Sequence, residues 1–144
     1  MQRIVVGVDG SEHSRRALQW ALDEALLRGA AVDVVHAWEP PFLVAYGGMP
    51  VTGFVYDPTP YEEAGHQLLD DTVDAVDTKG APAMEKILVR GSAAPMILDI
   101  AKGADMVVVG SRGRGGFAGL LLGSVSQQVA QHAPCPIVIV PPQQ

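Results

Sequence analysis

Glycines cluster in one stretch of this chain, directly after a short apolar run. The run Met106–Val109 ends at Gly110, and five further glycines follow, at Gly113, Gly115, Gly116, Gly119 and Gly123. Ser124 to Ser126 then have the composition of a helix start. A buried strand, a glycine-rich loop and a serine-capped helix in that order expose backbone N–H groups to an anion. We therefore predict a phosphate site in this glycine-rich stretch (residues 110–123). A surface loop without a ligand is the simpler alternative.

Charge is distributed unevenly along the 144 residues. The formal net charge is −6, and all 16 acidic residues lie at or before Asp105. Arg112 and Arg114 make the glycine-rich stretch locally basic. This distribution favours a phosphate-bearing ligand there over a metal ion or a cationic ligand. The negative net charge argues against general binding to nucleic acids or anionic membranes.

Two common phosphate motifs do not fit the glycine-rich stretch. A Walker A loop requires a lysine before its serine or threonine, and the stretch has no lysine. A dinucleotide fingerprint is partly matched by Gly113–Ala118, but that loop should follow the first strand and precede an acidic residue. No acidic residue follows here. A third spacing fits: Gly110, two residues, Gly113, nine residues, Gly123 and then Ser124.

The periodicity of the sequence indicates the elements that position these residues. Apolar runs predict five strands, Ile4–Val8, Val32–Ala37, Met84–Val89, Met106–Val109 and Ile137–Val140. Helical spacing predicts four helices, from the N-cap Ser11 to Gly29, over Tyr61–Val76, near Met96–Ala101, and over Ser124–Gln131. Glu85 and Lys86 indicate that the third strand lies at an edge of the sheet. Phe42–Pro60 is predicted to be a long loop.

Alternating strands and helices predict an α/β fold for residues 1–144, which we expect to form a single domain. The fold would be an open five-stranded parallel sheet with helices on both faces. If strands one and four are the central neighbours, the strand order is 3-2-1-4-5. Ligands of such sheets bind beyond the carboxyl ends of the strands, where the strand order reverses. That crevice would contain Asp9, Gly10, Ser11 and the glycine-rich stretch, together with the end of strand two at Ala37.

Bulk features indicate a soluble cytoplasmic protein. No apolar run approaches the roughly 20 residues that cross a bilayer, and the N-terminus does not have the pattern of a signal peptide. Cys135 is the single cysteine and cannot form an internal disulfide. It lies between two prolines, and we expect it to be a small packing residue and not a nucleophile.

The spacing Gly110, Gly113, Gly123 and Ser124 resembles the ATP-binding motif of the universal stress protein family. Further segments agree with the resemblance, which covers essentially the whole chain: Ile4 to Ser11, Val35 to Ala37, Ala104 to Gly110, and Cys135 to Val140. The resemblance implies a Rossmann-like fold of the adenine nucleotide α-hydrolase-like type. It also implies that the chain binds ATP.

In members that bind ATP, the resemblance implies a role for each part of the crevice. Asp9 would lie near the ribose and phosphates, the backbone of Ala37 would contact adenine, and Ser124 to Ser126 would bind phosphate oxygens. The expected nucleotide contacts are Gly7, Val8, Asp9, Gly10, Ser11, Ala37, Val109, Gly110, Ser111, Arg112, Gly113, Arg114, Gly123, Ser124, Val125 and Ser126. The role of Arg112 and Arg114 follows from charge alone, since the motif does not fix them. A turn residue at Asp9 and a helix N-cap at Ser124 are the simpler interpretations.

Asp9 could also help to hold Mg²⁺ through the ATP phosphates, although one carboxylate makes no independent metal site. No general base or water-positioning residue is evident, so we expect no catalytic residue and slow or no ATP hydrolysis. The predicted function is regulatory ATP binding in a stress response. Two alternatives remain open: a slow nucleotide hydrolase or transferase, and a dimeric interaction module that binds cyclic AMP or no nucleotide.

The fifth predicted strand indicates how the chain assembles. Ile137–Val140 is entirely apolar and carries no charge of the kind that protects an edge strand. We expect it to pair with its own copy across a two-fold axis, as the resemblance also implies. The predicted partners are therefore ATP and a second copy of the chain.

Overall fold

The computed structural model describes residues 2–40, 56–112 and 122–142. Five strands alternate with helices, and they are β1 (Arg3–Gly7), β2 (Ala31–Trp38), β3 (Met84–Arg90), β4 (Met106–Gly110) and β5 (Ile137–Val140). The helices in the described ranges are α1 (Glu12–Arg28), α2 (Thr59–Asp74), α3 (Ala93–Ile100) and α4 (Ser124–His132). None of these helices is long and apolar enough to cross a membrane.

The strands form one parallel sheet in the order β3-β2-β1-β4-β5. The predicted fold class and strand order are therefore confirmed. The order reverses between β1 and β4, where Val5 pairs with Val107 and Val6 with Val108. All four of these side chains are fully buried, as expected for strands that are covered on both faces. β3 lies at one edge, as its charged residues predicted, and β5 lies at the other.

Helices cover both faces of the sheet, because adjacent strand residues point to opposite sides. Val6 and Val108 pack on the face of α1 and α2, where Leu18 is a fully buried helix residue. Val5 and Val107 pack on the face of α3 and α4. The two apolar layers fix the ends of β1 and β4 between helices of opposite faces.

Helix α1 begins and ends where the sequence predicted. Ser11 is the N-cap, and its hydroxyl accepts a hydrogen bond from the Ser14 N–H at 3.2 Å. Gly29 is the C-cap, with a left-handed φ of 66° that glycine adopts without steric cost.

One helix start and one helix cap differ from the prediction. Helix α2 begins at Thr59, two residues before Tyr61, and Asp57 accepts a hydrogen bond from the Thr59 N–H at 3.0 Å. The end of the predicted Phe42–Pro60 loop is therefore helical, while residues 42–55 lie outside the described residues. Helix α4 has Gly123 as its N-cap and no side-chain cap. Ser124 is thus the first helical residue and not the cap.

Candidate functional site

The turn after β1 is fixed by its own polar groups. A carboxylate oxygen of Asp9 accepts a hydrogen bond from the Ser11 N–H at 2.9 Å. Gly10 has a φ of 81°, a conformation that favours glycine. Arg15 donates to the carbonyl oxygen of Gly10 at 2.9 Å. Asp9 therefore acts as a turn residue that presents its carboxylate at the start of α1.

Gly7 and Gly110 allow helices to approach the ends of the two central strands. A Cβ on Gly7 would lie 2.6 Å from Cδ1 of Ile97 in α3. A Cβ on Gly110 would lie 3.0 Å from the carbonyl oxygen of His13, in the first turn of α1. Both distances are shorter than ordinary contacts, so a side chain at either position would force a neighbour to shift. That neighbour is the end of the Ile97 side chain at Gly7 and the backbone of α1 at Gly110.

Hydrogen bonds at Ser111 join the two ends of the glycine-rich stretch. The Ser111 carbonyl oxygen accepts from the Gly123 N–H at 2.7 Å and from the Ser126 hydroxyl at 2.7 Å. The Ser111 N–H donates to the carbonyl oxygen of Val140, at the end of β5, at 2.9 Å. Ser111 and Ser126 are 4% and 3% exposed. The two ends of the glycine-rich stretch are therefore joined at one buried residue, Ser111, which directly follows β4.

The start of α4 carries the N–H donors of the candidate phosphate site. The N–H groups of the first helical residues have no acceptor within a helix, and no side chain in the described part of the chain caps this one. Ser124 is exposed and Val125 is half-buried. The positive end of the helix dipole adds to the attraction for an anion. Ser126 differs from Ser124, since its hydroxyl donates within the protein; its contact with phosphate stays a prediction.

The side chains of Ser111 and Arg112 add polar groups beside this helix start. Ser111 Oγ and Arg112 Nε are buried and make no hydrogen bond in the part of the chain that the structure describes. Buried polar atoms in proteins nearly always have a partner. Gly113 and Arg114, which the sequence also predicted at the site, lie outside the described residues.

The adenine end of the predicted site lies at the end of β2. The Val8 N–H donates to Val35 at 2.8 Å, and His36 Nδ1 lies 2.9 Å from the carbonyl oxygen of Val8. A carbonyl oxygen can only accept, so His36 donates and holds β2 to the end of β1. Ala37 follows and is half-buried. Val8 and Val109 are buried, so they can offer a ligand only their backbone.

A separate depression lies beyond Ala37, on the α2 side of the sheet. It has a volume of about 340 Å³, and its lining is Trp38, Pro58, Glu62, His66, Leu88 and Arg90. Trp38 stacks on Tyr61 with ring centroids 6.1 Å apart, and the Arg90 guanidinium lies 5.8 Å from the Trp38 ring centroid. These contacts fix the end of β2 next to the predicted adenine position.

The structure brings most of the predicted residues to the carboxyl ends of the central strands. Three groups of these residues lie there: Asp9 to Ser11 after β1, Val109 to Arg112 at the end of β4, and Gly123 to Ser126 at the start of α4. His13 was not predicted at the site, because only the packing of α1 on Gly110 brings it there. Within the described ranges, no group of three or more His, Cys, Asp or Glu side chains could hold a metal ion.

The fold and crevice define a class: open α/β proteins whose ligand site lies where the strand order reverses. The model of the universal stress protein family matches residues 1–141. A universal stress protein of Thermus aquaticus is 37% identical over 143 residues, which cover 95% of this chain and 96% of that protein. The chain belongs to the universal stress protein family. It spans about half the length of the mycobacterial relatives that it matches.

Solved structures share this fold along almost the whole chain. A universal stress protein in complex with cAMP is 29% identical, with a TM-score of 0.69, over 96% of this chain and 95% of that one. The universal stress protein of Archaeoglobus fulgidus in complex with dAMP is 28% identical, with a TM-score of 0.62, over 97% of this chain and 98% of that one.

Proposed function

We propose that this chain binds ATP at the crevice between β1 and β4, and that occupancy regulates a cytoplasmic stress response. The observation that carries the proposal is the start of α4, which no side chain of the described residues caps. It lies beside the buried polar atoms of Ser111 and Arg112, which have no hydrogen-bond partner in those ranges. Donors that converge at a positive helix end suit the oxygens of a phosphate. Relatives in complex with cAMP and dAMP support an adenine nucleotide as the ligand.

The charge of the crevice favours a triphosphate over a nucleoside. Arg112 and, from the sequence, Arg114 lie in a stretch without acidic residues. Each phosphate added to the ligand increases its attraction to these cations and to the α4 dipole. Mg²⁺ would be held by Asp9 and by phosphate oxygens together, because no protein cluster in the described ranges could hold the ion by itself.

Hydrolysis of ATP is proposed to be slow or absent. Asp9 is engaged with the Ser11 N–H, and His36 donates to the Val8 carbonyl oxygen. Neither group is arranged to activate a water molecule against a phosphate. Binding can still act as a signal, because a ligand that prefers one conformation shifts the population toward it.

Cyclic AMP is the second candidate ligand, and the relative in complex with cAMP favours it. The two ligands differ in charge, since cyclic AMP carries one phosphate and ATP three. Titration of ATP, AMP and cyclic AMP into nucleotide-free protein therefore distinguishes them. Equal or tighter binding of cyclic AMP would replace ATP as the proposed ligand.

The chain is also proposed to form a homodimer through β5. Among the described residues this edge strand pairs only with β4, and Ile137 to Ile139 are half-buried. An unpaired apolar edge exposes backbone groups that a second copy can satisfy. A two-fold axis would place the two β5 strands side by side.

The test of ATP binding begins with freshly purified protein that is denatured to release bound nucleotide for chromatography. Calorimetric titration with ATP follows, on the wild type and on Arg112→Gln. We expect the variant to bind ATP about tenfold more weakly, the value of one charge-assisted hydrogen bond. Arg28→Gln is the matched control, because Arg28 pairs with Glu24 at the opposite end of α1. No released nucleotide, together with no thermal shift in millimolar ATP, would refute the proposal.

A further inference from the structure

His13 lies against the point where the glycine-rich stretch begins. It is the second residue of α1, and its Cβ would lie 3.2 Å from a Cβ on Gly110. Its ring nitrogen Nδ1 is buried and makes no hydrogen bond in the described part of the chain. A buried imidazole nitrogen without a partner is unusual in a folded protein.

The two residues after Gly110 show the same feature. Ser111 Oγ and Arg112 Nε are also buried without a hydrogen-bond partner in the described ranges. The contact between the His13 backbone and Gly110 places the three residues that carry these atoms near the junction of α1 and β4. Arginine Nε–H only donates, a hydroxyl can donate, and an imidazole can donate from either nitrogen. This combination suits a ligand that only accepts, as phosphate oxygens do.

The position of the junction indicates which part of a nucleotide it would meet. Ala37 lies at the end of β2, and β4 lies two strands away across β1. Neighbouring strands are about 4.8 Å apart, so the separation is about 10 Å. An adenine ring at Ala37 would therefore direct its phosphates toward β4, the first turn of α1 and the start of α4.

We propose that His13 is a phosphate-contacting residue, which acts with Ser111 and Arg112 and makes the site select nucleotides by their phosphate chain. The proposal rests on the proposed nucleotide site for its ligand and adds a residue from the opposite face of the sheet. Helix α1 then supplies a contact that belongs neither to the glycine-rich stretch nor to α4.

The test compares His13→Leu, His13→Asn and His13→Gln in calorimetric titrations with ATP and with adenosine. Leucine removes the polar atoms, asparagine retains a side-chain amide near the position of Nδ1, and glutamine places its amide near that of Nε2. We expect His13→Leu to weaken ATP binding about tenfold and to change adenosine binding less than twofold. His13→Asn should retain more ATP affinity than His13→Gln. His132→Leu, at an exposed histidine that ends α4, is the control and should bind ATP as the wild type does.

Two results would overturn the inference while leaving ATP binding intact. One is unchanged ATP affinity in His13→Leu. The other is an equal loss for ATP and adenosine, since that pattern indicates a structural role for the ring. If His13→Leu does not fold by circular dichroism, the order of the asparagine and glutamine variants decides.

Inorganic triphosphate separates this inference from the proposed function. A wild type that binds neither ATP nor adenosine would defeat the nucleotide proposal. Triphosphate binding that weakens in His13→Leu would then still support the phosphate contact. Absence of triphosphate binding in that protein would overturn the contact as well.

Discussion

Ser126→Ala tests whether the hydrogen bonds that join the two ends of the glycine-rich stretch stabilise the fold. The Ser126 hydroxyl lies 2.7 Å from the Ser111 carbonyl oxygen and 3.0 Å from that of Gly123, and the side chain is 3% exposed. One hydroxyl has one proton, so alanine removes one net hydrogen bond, worth about 1 kcal/mol. The Ser111 oxygen keeps its bond from the Gly123 N–H, so no full desolvation penalty is added. We expect the free energy of unfolding to fall by about 1 kcal/mol.

The measurement is urea unfolding followed by circular dichroism, with a thermal scan in which the midpoint should fall by about 3 °C. Ser124→Ala is the matched control, because Ser124 is an exposed serine two residues earlier that caps nothing. It should change the unfolding free energy by less than about 0.5 kcal/mol. In ATP titrations the order should reverse, with the larger loss in Ser124→Ala. Equal stability losses in the two variants, or none in Ser126→Ala, would refute the assigned role of this hydroxyl.

Three further predictions concern other parts of the molecule. Gly110→Ala should destabilise the fold by about 1–3 kcal/mol in urea unfolding, because its Cβ would meet the His13 carbonyl oxygen at 3.0 Å; wild-type stability would show that α1 can move away. Burial raises the pKa of the Cys135 thiol, so alkylation by iodoacetamide at pH 8 should be slower in folded protein than in urea, where the thiol is exposed; equal rates would contradict this. Ile139→Lys should shift a β5-paired dimer to monomer in equilibrium sedimentation at micromolar concentration, since lysine protects edge strands. A wild type that is already monomeric there, or a variant that stays dimeric, would exclude this interface.

The sheet could be predicted because its signals are local. Strands buried on both faces are continuous apolar runs, as in Val5–Val6 and Val107–Val108, and the edge strand β3 shows its position by Glu85 and Lys86. The Ser11 cap and the Gly29 stop of α1 are also encoded within a few residues. These features depend on neighbours in sequence, which a pattern can reveal.

The parts that could not be predicted depend on contacts between distant residues. The spacing predicts Gly110 as a nucleotide contact, which stays a prediction, but only the packed structure shows that a Cβ at Gly110 would also meet the His13 backbone of α1. The phosphate contact of Ser126 stays a prediction, and no pattern indicates that its hydroxyl donates to Ser111, 15 residues earlier. Composition identifies a serine at a helix start, but only the packed structure shows which acceptor its proton meets.

The unlike edges of the sheet determine what kind of assembly the chain can form. Charged, exposed Glu85 and Lys86 protect β3, and Lys86 pairs with Asp70 at 2.7 Å, whereas β5 carries no charge. When β5 pairs with β5 of a second copy, neither chain has an unprotected edge strand left, so growth stops at two chains. Pairing of β5 with β3 would leave a receptive edge after every addition and produce a filament. In the proposed β5-paired dimer, Glu85 and Lys86 on the far edge would therefore prevent open-ended growth into a fibre.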